Sequence, residues 1–195
     1  MHIRDAKKHE EVWLLDRLEE FGFEDSAFRS RDYVFAIEEE IGKKTGFGRL
    51  RVHSLETGKR CELAHIGVLP DWRGQGVGAH ILERLTELAR DQNFETVVSF
   101  SPVPQYCSQF GFVETDPETL SGALWDRFEQ VREGHPDAVP MVIETDEFEM
   151  PPRLRRRFHD GGDDEERNGE RPEDFGIDPR TASYKYDTGR RDDSA

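Results

Sequence analysis

The sequence predicts an α/β domain in which strands and helices are interleaved. Three observations predict it. Runs of strand length, rich in β-branched and aromatic residues, recur at Asp32–Glu40, Phe47–Leu55, Cys61–Leu69, Glu95–Ser101 and Ala138–Glu144. Segments with apolar residues at helical spacing stand among them. The stretch Cys61–Arg90, CELAHIGVLPDWRGQGVGAHILERLTELAR, joins one strand to one helix through a glycine-rich turn.

In chain order, Met1–Ala6 reads as an opening strand. From about Lys8, the residues Val12, Leu14, Leu15, Leu18 and Phe21 form a helical stripe that Gly22 ends. Phe23–Ser30 is a second short helix or a loop. In the strand Asp32–Glu40, Val34 and Ala36 lie opposite Tyr33, Phe35 and Ile37. Gly42–Gly48 reads as a turn, Phe47–Leu55 as a strand, and Leu55–Lys59 as a hairpin loop into Cys61–Leu69. Pro70-Asp71 breaks that run. After the glycines, Val77, Ile81, Leu82, Leu85, Leu88 and Ala89 recur at helical spacing. Glu95–Ser101 is a strand ended by Pro102. Pro104–Phe110 is a short helix with Gly111 as its C′ residue, and Phe112-Val113 is extended. Glu118–Arg132 carries Leu120, Leu124, Phe128 and Val131 on one helical face. Ala138–Glu144 closes the domain, and Pro140 within it predicts an edge strand or a bulge.

At 195 residues there is room for one domain, residues 1–150, and an appendage. From Pro151 the chain is poor in apolar residues and rich in Gly, Pro and charge, so 151–195 is expected to be a largely disordered tail. Within it, Phe175-Gly176-Ile177 and Tyr184–Tyr186 are candidate anchors onto the domain. The net charge is −15, with lysine only at Lys7, Lys8, Lys43, Lys44, Lys59 and Lys185. Such an acidic excess predicts adaptation to high salt, where screening tolerates self-repulsion. It argues against broad nucleic-acid binding. No apolar run reaches the ~18 residues of a membrane span and no leader signal stands at Met1, so a soluble, cytoplasmic protein is expected. Cys61 and Cys107 fit a reduced compartment and lack zinc-type spacing, so no metal is expected.

Backbone amides at a helix N-terminus have no intrahelical partner and suit a phosphate, and glycines let the chain approach it closely. The turn is not a P-loop, since no Gly-Lys-Ser/Thr follows its first glycine. Nor is it a dinucleotide fingerprint, since Gly74-Gln75-Gly76-Val77-Gly78 has the wrong spacing. What it resembles, with Val68-Leu69-Pro70-Asp71-Trp72-Arg73 before it, is the acetyl-CoA pyrophosphate loop of the GNAT (Gcn5-related N-acetyltransferase) superfamily. The block PVPQYCSQFGF, Pro102–Phe112, is similar to that superfamily's second signature. The resemblance covers roughly Met1–Glu144. It implies a central twisted mixed sheet of about six to seven strands flanked by helices. It also implies acetyl-CoA as co-substrate and an amine as acceptor, with a homodimer as a candidate assembly. Within the superfamily, the Glu-Leu strand start and AVPMVIE resemble small N-acetylglutamate-synthase-like proteins.

The resemblance assigns three tasks. Arg73 and the amides of Gly74, Gln75, Gly76, Val77 and Gly78 would hold the pyrophosphate, while the backbone of Ile66 and Val68 would pair with pantetheine as a strand would. An amine with a pKa near ~10 needs a base or an exit for its proton. Glu62 stands where many members carry a catalytic glutamate, and strict alternation would put Glu62, Ala64, Ile66 and Val68 on one face with His65 opposite. Partial burial there would raise the pKa of Glu62. The leaving thiolate benefits from a donor. Many members place a tyrosine four residues before the glycine of GF, where this chain has Cys107, with Tyr106 one position earlier. Both are candidates for the acid. Arg29, Arg31, Arg49 and Arg51 are candidates to meet a substrate carboxylate.

The leading expectation is direct acetyl transfer to a small amine or amino acid, the alternatives being transfer to a protein N-terminus or lysine, or acyl-CoA binding without turnover.

Overall fold

The alternation of apolar residues builds seven strands: β1 (His2–Asp5), β2 (Tyr33–Ile37), β3 (Lys44–Leu55), β4 (Gly58–Val68), β5 (Thr96–Ser101), β6 (Val113–Glu114) and β7 (Val139–Glu144). Among the described residues, five α-helices stand among and after them: α1 (Glu11–Glu20), α2 (Val77–Asp91), α3 (Pro104–Ser108), α4 (Ala123–Gly134) and α5 (Pro152–Asp160). The computed structural model describes residues 1–120 and 122–160, the last four by backbone alone. The strands form one mixed sheet in the order β1-β2-β3-β4-β5-β7-β6. Every neighbouring pair is antiparallel except β4 and β5. Phe23–Ser30 is mostly loop.

Two faces follow from the period of two. Tyr33, Phe35, Ile37 and Phe47 pack with Leu14 and Leu18 of α1 on one face. On the same side Val98 and Phe100 meet Leu124 and Phe128 of α4. Val34, Ala36, Leu50, Cys61, Leu63 and Val97 face the other way, onto Ile81, Leu82, Leu85 and Ala89 of α2. Leu82, Leu85 and Ala89 follow one stripe, and burial of each large side chain stabilises the fold by about 1.5–3 kcal/mol.

Three expectations meet corrections. Gly42–Gly48 is not a turn throughout, because β3 begins at Lys44. Its glycines serve packing: a Cβ on Gly46 would come 2.8 Å from Gly67 O, and one on Gly48 2.5 Å from Ile81 Cγ2. Pro140 sits on neither an edge nor a bulge, since β7 lies between β5 and β6 in unbroken register. Its carbonyl accepts from Thr115 N, so its missing N–H faces the side of β6, which ends at Glu114. Finally, the chain does not lose structure at Pro151. Pro152 opens α5, Leu154 is buried against the α2 side, and Arg155 pairs with Glu83 of α2 at 2.7 Å. Phe175-Gly176-Ile177 and Tyr184–Tyr186 lie outside the described residues.

Candidate functional site

The site is built around an irregularity in β4. Phe47 pairs with Gly67 and Arg49 with Ala64, so the single Gly48 of β3 faces both His65 and Ile66. Two residues opposite one make a β-bulge. His65 absorbs it with φ +50°, a left-handed conformation that histidine adopts more readily than most side chains. One extra residue flips everything beyond it. Ile66 and Val68 therefore join the α2 face, while His65 turns to the face of Glu62. The alternation expected through Val68 holds only as far as Ala64, and His65 is not opposite Glu62.

β4 leaves β5 just ahead of the bulge. Their register pairs are Cys61 with Val97 and Glu62 with Val98, and Ser99 Oγ then donates to Leu63 O at 3.0 Å. Where the strands part, a cavity of about 750 Å³ opens. Its one end is the glycine turn. Gly74 (φ +77°) and Gly76 (φ +81°) are left-handed, and Gly76 caps α2. Arg73 Nε donates to Val68 O at 3.2 Å, tying the turn to the end of β4. Arg73, Gly74, Gly76, Val77 and Gly78 line the cavity with Ile66 and Val68. Gln75 is not in that lining; its side-chain amide donates back to Asp71 O at 2.9 Å.

Tyr106 and Cys107 of α3 reach the wall from the other side. A Cβ on Gly78 would stand 3.3 Å from Tyr106 Oη, so the hydroxyl lies over the first turn of α2 because that position has no side chain. Burial raises the Tyr106 pKa to about 12. Cys107 is buried and its thiol donates to Ser101 Oγ at 3.4 Å; burial also raises its pKa.

At the far end Glu62, His65 and Arg127 converge. Arg127 Nε donates to Glu62 Oε1 at 3.1 Å, and its Nη2 to His65 Nε2 at 2.9 Å. His53 Nε2 lies 2.6 Å from Glu62 Oε2. With Nε2 of His65 accepting, its Nδ1 carries the proton toward Tyr33 Oη, 2.8 Å away, and Tyr33 donates in turn to Asp25. Burial and then the charge of Arg127 lower the His65 pKa to about 4, so the ring is neutral at pH 7.

Glu62 is 1% exposed. Burial alone raises its pKa, but the His53 hydrogen bond and the charges of Arg127, His53 and Arg51 outweigh it and leave the carboxyl below its ordinary value. The raised pKa expected from burial is thus reversed by partners on β3 and α4. The sequence reading missed those partners. Arg127 carried a signal, since it stands within the apolar face of Leu124, Phe128 and Val131, where an arginine needs a buried partner.

The four candidate arginines gather elsewhere. Arg49 is bound by Asp25, Asp32 at 3.1 Å, and Ala27 O at 2.7 Å. With Arg29, Arg31 and Arg51 it lines a second cavity. Among the described residues, no group of three or more His, Cys, Asp or Glu is placed to hold a metal, and no helix is long and apolar enough to cross a membrane.

Comparison with solved structures places this geometry. Rv2747 from Mycobacterium tuberculosis, in complex with CoA, superposes with a TM-score of 0.61 at 17% identity over 74% of this chain and 99% of that one. N-acetylglutamate synthase from Neisseria gonorrhoeae, with coenzyme A and N-acetyl-glutamate, gives 0.59 at 18% identity over 74% of this chain. The chain spans only 35% of that synthase. Arabidopsis thaliana Naa50, with a bisubstrate analogue of CoA, gives 0.51 at 16% identity over 72% of this chain and 95% of that one. These likenesses show the fold, a GNAT acyl-CoA N-acyltransferase fold of seven mixed strands. The sequence itself goes further, because the family model described as "Acetyltransferase (GNAT) family" matches residues 2–105, more than half of the chain. With the parted β4 and β5 and the glycine turn inside that span, the chain belongs to the acetyltransferase (GNAT) family.

Proposed function

We propose that the protein transfers an acetyl group from acetyl-CoA directly to a primary amine on a small molecule or amino acid. One observation carries this reading: a single cavity runs from the glycine turn, between β4 and β5, to Glu62, His65 and Arg127. Donor and acceptor can meet inside it. The residues fit the donor, since Gly74 and Gly76 are left-handed and α2 begins without a side-chain cap on its first amides. The unpaired part of β4 offers backbone groups at Ile66 and Val68 for an extended pantetheine arm.

In the transfer step the amine nitrogen attacks the thioester carbonyl carbon and the carbon–sulfur bond breaks. Tyr106, protonated at neutral pH, donates to the departing sulfur. Cys107, whose thiol is engaged by Ser101, is not the donor in this reading. The amine's proton leaves toward Glu62, which is ionised and accepts it through water. His53 and Arg127 position that carboxylate. No acyl-enzyme forms.

A second reading is supported by the same carboxylate. Glu62 is held by both Arg127 and His53, which weakens it as a base and suits a module that binds acyl-CoA without turnover. Thiol release from acetyl-CoA, followed against a panel of amines and amino acids at high salt, separates the two. The transferase reading predicts release that depends on one class of amine. Tight binding of acetyl-CoA with no amine-dependent release would leave the second reading standing.

A further inference from the structure

The second cavity, of about 520 Å³, opens along the edge of β3. The last β2–β3 pair is Tyr33 with Arg49, so β3 from Leu50 onward has no strand on that side among the described residues. Arg29, Arg31, Arg49 and Arg51 line this opening, and its acidic lining residues are Asp5 and Asp32. Arg49 and Asp32 are bonded to each other, and Arg31 reaches Asp32 only at 4.0 Å. That leaves Arg29, Arg31 and Arg51 against Asp5, a positive pocket in a chain of net charge −15.

Arg51 is the decisive group. Its Nη1 is shut off from water and has no hydrogen-bond acceptor among the described residues. A buried guanidinium N–H without an acceptor is costly, and a folded protein ordinarily supplies one. No acidic side chain of the described residues is placed on Nη1. Burial lowers the arginine's pKa, which an arriving anion would restore.

We propose that this second cavity binds a small anionic molecule through one carboxylate or phosphate group seated on Arg51, with Arg29 and Arg31 closing over it. Planar guanidinium forks suit both anions. The occupant would be felt at the first cavity, because His53 lines the second cavity and lies 2.6 Å from Glu62 Oε2.

Calorimetric titration of the full chain saturated with CoA, so that the glycine turn is filled, tests this. Inorganic phosphate and succinate are the probes, at constant ionic strength. At least one should bind saturably at one equivalent. Its affinity should fall about tenfold or more in Arg51→Gln, as expected for loss of a charged hydrogen bond. The double variant Arg29→Gln/Arg31→Gln, which alters two exposed side chains, should weaken it likewise and keeps the test valid if Arg51→Gln does not fold. Tighter phosphate than succinate would identify a phosphate ester as the occupant, and the reverse order a carboxylate. No saturable binding of either probe, or binding that survives both variants, would overturn the proposal.

Discussion

Arg127 Nε donates to Glu62 Oε1 at 3.1 Å, joining α4 to β4 across 65 positions of sequence. Both groups are almost fully buried, at 7% and 1% exposure. The pair lies in the lining of the cavity and, together with the His53 hydrogen bond, holds the Glu62 carboxyl below its ordinary value.

Removing one partner of a buried ion pair leaves a charge uncompensated. Arg127→Met should cost about 3–5 kcal/mol of stability. Urea denaturation measures it, and the midpoint should drop with the slope unchanged. A loss under ~1 kcal/mol would mean that water reaches Glu62 freely.

Replacing the carboxylate by its amide removes the proposed proton acceptor and keeps the shape. Glu62→Gln should lower kcat by about a hundredfold or more, the usual share of a general base, with the Kd for acetyl-CoA nearly unchanged. Because the Glu62 pKa lies below its ordinary value, the acid limb of the pH–rate profile should also lie below that value in the wild type and vanish in the variant. An identical profile in both proteins removes Glu62 from the proton path.

Acid should loosen the fold through His65. Its pKa falls from an ordinary 6.5 to about 4 in the folded chain, so between those values the unfolded state binds more protons. Stability is therefore complete above pH 6.5 and declines as pH falls toward 4, by up to about 3 kcal/mol. Glu62, also lowered, adds a loss that begins nearer 4.5. Thermal melts of His65→Gln should show a shallower decline over the upper window; parallel curves would place the acid sensitivity elsewhere.

The two neighbours on α3 should part company. Tyr106→Phe is expected to lower kcat about tenfold or more, since a positioned acid typically contributes at least that. Cys107→Ala loses a buried thiol and its bond to Ser101, which should cost stability and leave kcat within about twofold. Steady-state thiol release on both variants decides; equal kcat losses would contradict the assignment of Tyr106.

The glycine turn and the strand before it were legible because their residue types follow from local backbone needs. Phe35 and Val34 took opposite faces as the period of two requires. The bulge at His65 was not legible. A register shift is set by pairing with β3, where Gly48 must stay bare beneath Ile81, and nothing in HIG announces a left-handed histidine. Missing it put Ile66 and His65 on the wrong faces. The state of Glu62 was misread for a related reason. Burial alone raises a carboxyl's pKa, whereas the partners that reverse it, His53 and Arg127, lie 9 and 65 positions away. Gly46 and Gly48 suggested a turn by composition, yet they mark where α2 presses on the sheet.

The central claim is that donor and acceptor meet where β4 leaves β5. A crystal structure of the protein with CoA tests it most directly. The account predicts the pyrophosphate on the amides of Gly74–Gly78, pantetheine beside Ile66 and Val68, and the thiol within hydrogen-bond reach of Tyr106 Oη, roughly 3–3.5 Å. CoA bound away from the gap, or with its thiol turned from both Tyr106 and Glu62, would contradict it.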